Sequence, residues 1–308
     1  MLHLTHQTPI EQVGFVRRTR CDLCGSNQQT VLLSKAFTEP VIADFLEVYY
    51  GGRIDRTVLA GAAYTVVKCQ SCGFMWQQDI LNDAGMQALY NVWIAPEESL
   101  QKRRENGSSS YARQAAVIGA LLPHMHAGDI QVLDFGMGWG YWCAAVQAAG
   151  YRVTGLELSA ERIRFARAMR IEVIERLDGR RFDFINAEQV FEHIPAPLET
   201  LRQLVSHLNP SGIIHIAVPD SVGIERKLAR PDWKPSADAA LPLEHINCFT
   251  RRTLVRLGEA AGLRVITPPL MLTRKYGWKS LARGVAARYY RQFFGTGLYF
   301  KVNSNTKI

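Results

Sequence analysis

The sequence lacks long hydrophobic runs and is poor in cysteine, and each shortage excludes a class of protein. No stretch of its 308 residues approaches the ~20 consecutive apolar residues that a membrane-spanning helix needs. The opening residues, MLHLTHQTPIEQ, lack a basic start followed by an apolar core, so no secretory signal is expected. Six cysteines are too few for a disulfide scaffold at this length. We find no internal repeat, and we expect a cytoplasmic location.

The composition indicates a folded protein with a basic surface. A hydrophobic content of 47% is sufficient for a sizeable core, and the length suits one medium domain with a smaller module. The net charge is +8, with a pI near 9.3. This excess could attract nucleic acid, a phosphorylated small molecule or an anionic membrane surface, or it could simply be solvated surface charge.

A glycine-rich turn follows a short apolar run near the middle of the chain. The run ends in a carboxylate and leads into alternating glycines: Asp134, Gly136, Gly138 and Gly140. A segment of helical composition follows, so the order is strand, tight turn and helix. Glycines let a backbone approach a nucleotide-like ligand closely. The next strand ends in Glu157, at a distance along the chain that suits a carboxylate accepting ribose hydroxyls.

Two kinds of cofactor site share this arrangement. A dinucleotide site has the pattern GxGxxG, but Tyr141 stands here in place of the third glycine. The tighter pattern after Asp134 resembles the first motif of class I S-adenosylmethionine-dependent methyltransferases. The resemblance implies that the glycine turn passes beneath the amino-acid part of the cofactor and that Glu157 holds its ribose. It also implies that Leu158, Glu188 and Gln189 line the cofactor pocket.

Two cysteine pairs near the N-terminus predict a metal site. Each pair is followed by glycine in a CxxCG knuckle, and the four cysteines are Cys21, Cys24, Cys69 and Cys72. Two such knuckles can supply a tetrahedral four-sulfur zinc site, which has no open coordination position and is therefore structural. The alternatives are a redox pair or a knuckle that holds no metal. Residues 35–60 are expected to form a helical or hairpin insertion between the knuckles.

From residue 128 onward, strands and helices alternate regularly. We predict strands at 130–134, 152–157, 171–174, 182–187, 212–218 and 263–267, and helices at 139–149, 159–169, 197–208 and 251–261. Such alternation indicates an α/β fold, a Rossmann-like sheet with helices on both faces, here preceded by the zinc-ribbon module. Ligands of these sheets lie at the carboxyl ends of the strands, where the candidate residues are.

The remaining segments complete a four-part organisation. We predict a zinc-binding module at 1–80, a helical linker or lid at 81–127, the Rossmann-like domain at 128–270 and a basic extension at 271–308. The linker contains one helix capped by Asn82 and a second from Tyr111 to Met125. In the extension, residues 278–294 could form a helix with one basic face. That helix could dock on the protein or contact an anionic membrane.

Three side chains are candidates for proton transfer: Glu192, His193 and His245. The stretch QVFEH, residues 189–193, resembles quinone O-methyltransferases, but Gln189 replaces a glutamate that contributes to a metal site there, which puts a catalytic metal in doubt. The stretch EHINCF, residues 244–249, resembles small-molecule methyltransferases with a zinc module, in which this histidine faces the acceptor. Alternatively, Glu192 and His193 could cap a helix, and His245 could be a core histidine bonded to backbone.

The combined resemblance is to class I methyltransferases with a four-cysteine zinc module, such as deoxysugar C-methyltransferases. It implies C- or O-methylation of a small molecule, for example a nucleotide-linked sugar, with S-adenosylmethionine as donor and a histidine or glutamate as base. No specific nucleic acid is expected. Two alternatives stay open: an RNA methyltransferase that uses the ribbon to bind RNA, and a non-catalytic scaffold without cofactor.

Overall fold

A seven-stranded sheet forms the centre of the computed structural model, which describes residues 12–97, 99–101, 108–269 and 295–303. The strands are β1 (Phe15–Arg17), β2 (Gln29–Ala36), β3 (Ala63–Cys69), β4 (Met75–Gln77), β5 (Asp79–Leu81), β6 (Gln131–Phe135), β7 (Arg152–Leu156), β8 (Glu172–Ile174), β9 (Phe182–Glu188), β10 (Leu208–Ala217), β11 (Asn247–Cys248), β12 (Leu263–Ile266) and β13 (Gly297–Val302). The α-helices are α1 (Pro40–Tyr49), α2 (Asp83–Ala88), α3 (Ser108–Leu121), α4 (Tyr141–Ala148), α5 (Ala160–Ala168), α6 (Pro197–Ser206), α7 (Ile224–Leu228) and α8 (Arg251–Ala260).

The large sheet has the strand order β12-β13-β10-β9-β6-β7-β8. Strands β6 to β10 pair in parallel, and β13 is antiparallel to both β10 and β12. Strands β7 and β8 lie on one side of β6, whereas β9 and β10 lie on its other side. The connections that follow β6 and β9 therefore diverge, and a crevice opens between them at the carboxyl ends of these strands. Such a switch point is where open α/β sheets bind ligands. The predicted Rossmann-like fold is therefore confirmed.

Strand β13 was missed by the sequence analysis, which assigned no strand beyond residue 267. It inserts between β10 and β12, and its buried side chains include Leu298 and Phe300. A Cβ atom at Gly258 of α8 would lie 2.3 Å from Cε1 of Phe300, so the ring packs directly on the helix backbone. Residues 297–302 thus belong to the sheet, although the prediction had placed them in a basic extension.

The N-terminal module is a four-stranded antiparallel sheet with the order β11-β4-β3-β2. The insertion between the knuckles is helical, comprising α1 and a 3₁₀ turn at Arg56–Leu59. Strand β11 comes from the long connection after β10, and its Asn247 pairs with Trp76 of β4. The module therefore includes a segment that lies far from it in sequence, and a boundary at residue 80 does not describe this pairing.

The module and the large sheet share one buried core. Cys21, Phe74 and Trp76 from the module cluster with Ile216 of β10 and with Phe249. The rings of Phe74 and Phe249 have centroids 4.9 Å apart. Burying a side chain of this size contributes roughly 1.5–3 kcal/mol. This packing attaches the module firmly to the sheet, beside the connection that carries His245.

The linker helices follow the prediction only in part. Asn82 does cap α2, because its side chain accepts a hydrogen bond from the Gly85 amide at 2.9 Å. The helix then widens into a π turn at Leu89–Trp93. The second helix spans Ser108–Leu121, close to the predicted range. The predicted helix at 278–294 lies outside the described residues. Within the described part of the chain, none of the helices combines the length and apolar character needed to cross a bilayer.

Candidate functional site

A cavity of about 950 Å³ opens between the carboxyl ends of the parallel strands and the α2 helix with its π turn. The eleven cofactor and catalytic candidates from the sequence all line it: Asp134, Gly136, Gly138, Gly140, Glu157, Leu158, Glu188, Gln189, Glu192, His193 and His245. The volume suits a ligand of cofactor size with room for a second small molecule. The structure thus brings together candidates from three separate stretches of the sequence, residues 134–158, 188–193 and 245.

The glycine turn requires left-handed backbone at each of its glycines. Gly136, Gly138 and Gly140 have φ angles of 72°, 58° and 76°. At Gly136 an added Cβ would lie 2.8 Å from Cγ2 of Val190, so no side chain fits between the turn and the stretch after β9. At Gly138 an added Cβ would meet no described atom within 4 Å. Gly138 therefore leaves space beside the backbone on the cavity side of the turn.

Glu157 is oriented toward the glycine turn by backbone amides. Its Oε2 accepts a hydrogen bond from the Gly138 amide at 3.0 Å. Its Oε1 accepts from the amides of Leu158 and Ser159 at 2.9 and 3.0 Å. A carboxylate has about four acceptor positions, so it can still bind a hydroxyl group. The side chain of Leu158 is 77% exposed at the cavity wall, where it offers an apolar surface for a planar ring.

Asp134 acts as an anchor below the turn. Its Oδ1 accepts from the Asn186 amide group at 2.8 Å, and its Oδ2 accepts from the Cys143 thiol at 3.3 Å. Asn186 in turn bonds the His215 ring at 2.8 Å, and that ring stacks on Tyr299 of β13 at 4.4 Å. Burial raises the pKa of Cys143, so it remains a thiol and a donor. Asn186 and His215 were not predicted, because their only signal in the sequence is a polar side chain inside an apolar strand.

The chain turns sharply after β9, where Gln189 adopts a left-handed φ of 58°. The backbone N–H of Gln189 donates a hydrogen bond to the Ala217 carbonyl at 2.8 Å, and this bond holds the end of β9 against β10. A residue other than glycine in this conformation costs roughly 1–3 kcal/mol and persists only when the surrounding contacts hold it. The turn delivers Glu192 and His193, in the 3₁₀ turn Phe191–His193, to the cavity wall. The N-cap residues of this turn and of α6, Val190 and Ala196, make no capping hydrogen bond with their side chains.

His193 and His245 face each other with ring centroids 5.1 Å apart. Nδ1 of His193 lies 2.8 Å from the Glu244 carbonyl, and Nδ1 of His245 contacts the Asp238 carbonyl. A carbonyl can only accept, so each Nδ1 carries the hydrogen and donates it. In the neutral ring the basic lone pair then belongs to Nε2. The backbone-bonded interpretation of His245 is thus correct for Nδ1, while its ring also lines the cavity.

The two histidines differ in basicity. Burial, with a further contribution from His245, lowers the pKa of His193 to about 3. Burial also lowers the pKa of His245, but the hydrogen bond to Asp238 opposes that shift. His193 therefore stays neutral near neutral pH, and His245 is the better proton acceptor of the pair. Glu192 is 1% exposed, and its Oε1 lies 3.8 Å from Nε2 of His193.

Glu192, His193 and His245 are also close enough to share a cation, since one side-chain N or O atom from each lies within 4.8 Å of the others. Tyr90 approaches His193 edge-on at 6.0 Å, and burial raises the pKa of Tyr90 so that it keeps its proton. Tyr90, from the π turn of the linker, thus lines the cavity. Glu244 was missed as a separate site residue; it accepts a hydrogen bond from the Tyr50 hydroxyl at 2.8 Å.

The four knuckle cysteines converge on one point. The Sγ atoms of Cys21 and Cys72 are 3.5 Å apart, as are those of Cys24 and Cys69, and all four lie within 4.8 Å of one another. A tetrahedral zinc with bonds of 2.3 Å would place its sulfurs about 3.8 Å apart. None of these cysteines forms a disulfide. The shortest contacts join the two knuckles, an arrangement that favours a shared metal over a redox pair within one CxxC.

Comparisons with known proteins show which family the chain belongs to. A family described as "Methyltransferase domain" matches residues 104–267, more than half of the chain, and the protein belongs to that family. Among curated relatives, a ubiquinone biosynthesis O-methyltransferase of Xanthomonas campestris pv. campestris (strain B100) is 29% identical over 100 residues, 28% of this chain and 42% of the relative. One from Aeromonas salmonicida (strain A449) is 26% identical over 157 residues, 44% of this chain and 63% of the relative. The chain thus spans about two fifths of the first relative's length.

Solved structures that resemble the chain are also methyltransferases. The sugar N-methyltransferase KedS8 of Streptoalloteichus sp. has a TM-score of 0.47 at 14% identity, covering 67% of this chain and 92% of its own. The plantazolicin methyltransferase BpumL, solved with SAH, has a TM-score of 0.45 at 17% identity, covering 70% and 93%. Family membership confirms the predicted methyltransferase domain.

Proposed function

We propose that this protein transfers a methyl group from S-adenosylmethionine to a small-molecule acceptor. The observation that carries the proposal is the single cavity in which the glycine turn and Glu157 meet the histidine pair. S-adenosylmethionine supplies a methyl group already activated on a sulfonium. The protein must therefore align donor and acceptor, exclude water and, for a carbon or oxygen acceptor, remove a proton.

One wall of the cavity would bind the cofactor. Glu157 would accept a hydrogen bond from a ribose hydroxyl, because its carboxylate is already oriented by three amides and keeps one acceptor position. The glycine turn, with Glu188 and Gln189 at the end of β9, would border the amino-acid part. Asp134 would hold the turn in place from below through Asn186 and Cys143.

The opposite wall would carry the base. His245 would take the acceptor proton on Nε2, since its Nδ1 already donates to the Asp238 carbonyl. His193 would remain neutral and accept a hydrogen bond on Nε2, because burial lowers its pKa. Glu192, whose Oε1 lies 3.8 Å from that nitrogen, would orient the ring. His193 is the alternative base, but a pKa of about 3 makes it a weak proton acceptor.

The four cysteines would hold a structural zinc ion. The donor set is complete with four thiolates, so no coordination position is left for substrate or water. Because the module shares its core with the large sheet, the ion would stabilise the wall behind the histidine pair. The site is a structural one in this proposal and takes no part in methyl transfer.

The chemistry of the cavity favours a small acceptor over RNA. Among the described lining residues, Arg162 is the one arginine or lysine, whereas carboxylates include Asp83, Glu192 and Glu244. Nucleic-acid sites need clustered cations for the phosphates. The curated relatives are named as ubiquinone biosynthesis O-methyltransferases, which also act on a small molecule. A carbon or oxygen acceptor, such as a biosynthetic intermediate or nucleotide-linked sugar, fits the need for a base.

Isothermal titration with S-adenosylhomocysteine tests the cofactor site and the scaffold alternative together. We expect the wild-type protein to bind it with a micromolar dissociation constant. Gly138→Ala should weaken binding, because alanine at a φ of 58° costs roughly 1–2 kcal/mol and its methyl group would enter the free space at the turn. Gly128→Ala is the matched control, since Gly128 also has open space but no left-handed φ. Absence of wild-type binding at millimolar concentration would favour the scaffold.

A peripheral membrane contact through the basic segment at 278–294 is a further part of the proposal. It rests on the sequence alone, because this segment lies outside the described residues. Cosedimentation with vesicles that contain anionic lipid should be lost at high salt, where surface charges are screened. Equal recovery with neutral and anionic vesicles would contradict the contact.

A further inference from the structure

Asn247 connects the two segments that carry the catalytic candidates. Its side chain is 1% exposed, and its Nδ2 donates to the carbonyls of Phe191 and Ile194 at 2.9 and 2.7 Å. Those carbonyls flank Glu192 and His193 on both sides. Asn247 itself is two residues from His245, so one amide group joins the His193 turn to the His245 segment.

Arg18 donates a hydrogen bond to the oxygen of the same Asn247 side chain. Its Nη2 donates to Oδ1 of Asn247 at 2.9 Å, and its Nη1 donates to the Ile246 carbonyl at 3.1 Å. Nε and Nη2 of Arg18 also bond Oδ2 of Asp22, a residue inside the first cysteine knuckle. A buried guanidinium needs such partners, because an unpaired charge in the core is costly. The arginine therefore links the knuckle directly to Asn247.

Gln77 of the module fixes the same segment from the side. Its buried Nε2 donates to the carbonyls of Leu241 and His245 at 2.8 and 2.9 Å, and its backbone amide donates to the Ile246 carbonyl at 2.9 Å. The His245 segment is thus bonded to the N-terminal module on both sides of the histidine. The module supplies hydrogen bonds that the large sheet alone cannot provide.

We propose that Asn247 and Arg18 are positioning residues, through which the cysteine module sets the relative orientation of His193 and His245. This proposal rests on the proposed function, which assigns the two histidines to proton transfer. The contacts described above lead from Asp22 through Arg18 and Asn247 to the turn that carries His193. Neither positioning residue lines the cavity, so each would act through the histidines.

The side-chain nitrogens of the histidines report this positioning without any acceptor molecule. Long-range proton–nitrogen spectra of the full chain, labelled at histidine nitrogen, distinguish the Nδ1–H from the Nε2–H tautomer. His193→Gln and His245→Gln assign the two signals. In the wild-type protein we expect both rings as Nδ1–H tautomers, because both Nδ1 atoms face carbonyls.

Asn247→Asp is the decisive variant. It keeps the acceptor for Arg18 but replaces the two donated hydrogen bonds with a carboxylate facing two carbonyls. We expect the turn to move, so that the His193 nitrogens shift and a second tautomer appears. The dissociation constant for S-adenosylhomocysteine should stay within about twofold of wild type. Asn27→Asp, at an exposed position outside this network, is the matched control.

Arg18→Lys provides a milder variant in case Asn247→Asp does not fold. Lysine keeps the charge near Asp22 but cannot form the fork that reaches both Ile246 and Asn247. We expect a smaller shift of the same His193 signals. Arg17→Lys is its control, because Arg17 is largely exposed and pairs with Asp79 instead.

The outcomes separate positioning from a purely structural role. A lower melting temperature with unchanged histidine signals in both Asn247→Asp and Arg18→Lys would overturn the proposal, as would equal shifts in the controls. Metal-depleted protein should show the Arg18→Lys shifts, because Asp22 lies between two of the cysteines. If the wild-type protein binds no S-adenosylhomocysteine, the proposed function fails. The nitrogen spectra still decide whether Asn247 and Arg18 position the two histidines.

Discussion

Glu157→Gln is the substitution for which the structure predicts the clearest loss of cofactor binding. In the native protein both carboxylate oxygens are held by backbone amides, so the acceptor geometry exists before any ligand arrives. Glutamine has the same shape, but it replaces one acceptor with a donor and removes the charge. Its amide group would face at least one backbone N–H, so the side chain would rotate or leave that group unpaired.

The size of the effect follows from the hydrogen bonds at risk. A bond to a charged group contributes about 1.5–3 kcal/mol, and the three amides leave one acceptor position of the Glu157 carboxylate for a ribose hydroxyl. A loss of about 1.5–3 kcal/mol corresponds to a dissociation constant raised about 10- to 150-fold. Isothermal titration with S-adenosylhomocysteine measures it directly.

The control for this substitution is Glu161→Gln, an exposed acid in the first turn of α5, close to Glu157 in sequence. It removes the same charge from the same region and should leave the dissociation constant within about twofold. If Glu157→Gln weakens binding less than threefold, or no more than Glu161→Gln, the assignment of Glu157 to the ribose is wrong.

Three further predictions address the base, the metal and the fold. His245→Gln should lower turnover about 10²- to 10⁴-fold, because the general base is lost. The wild-type kcat/KM should rise with pH to a plateau, with the midpoint of the rise below pH 6.5, since burial lowers the pKa of His245 from that value. A midpoint above pH 7 would contradict this assignment. Purified protein should contain about one zinc per chain, and Cys72→Ser should lower both zinc content and melting temperature; Cys143→Ser is the control that should keep the metal. Gly258→Val should destabilise the protein by about 1–3 kcal/mol in urea titration, because the Cβ of the new side chain would clash with Phe300. An unchanged unfolding midpoint would contradict the packing of β13 against α8.

The parallel part of the fold could be predicted because its information is local. Each βα unit has a short apolar run, a turn and an amphipathic helix, and right-handed connections leave little choice of arrangement. Strand β13 could not be found this way, since it inserts antiparallel between strands that are already consecutive in the pattern. Strand β11 is two residues long and exists only because β4 lies beside it.

The residues of the site also fall into two groups, those that the local sequence predicts and those that it does not. The glycine turn and Glu157 lie within one β-α-β unit, formed by β6, α4 and β7, so their local spacing predicted them. The bonds that Asn247 makes to Phe191, Ile194 and Arg18 join residues that are 53 to 229 positions apart in the chain. Their side chains have no local pattern, because what they bond becomes defined only when the module packs on the sheet.

Transfer of an isotope-labelled methyl group tests the central claim most directly. The protein would be incubated with S-adenosylmethionine that carries a deuterated methyl group, together with a small-molecule extract and, separately, with bulk RNA. Mass spectrometry should detect the label in a small molecule with the wild-type protein and far less with His245→Gln. Label in RNA, or no transfer from a protein that binds S-adenosylhomocysteine, would contradict the account.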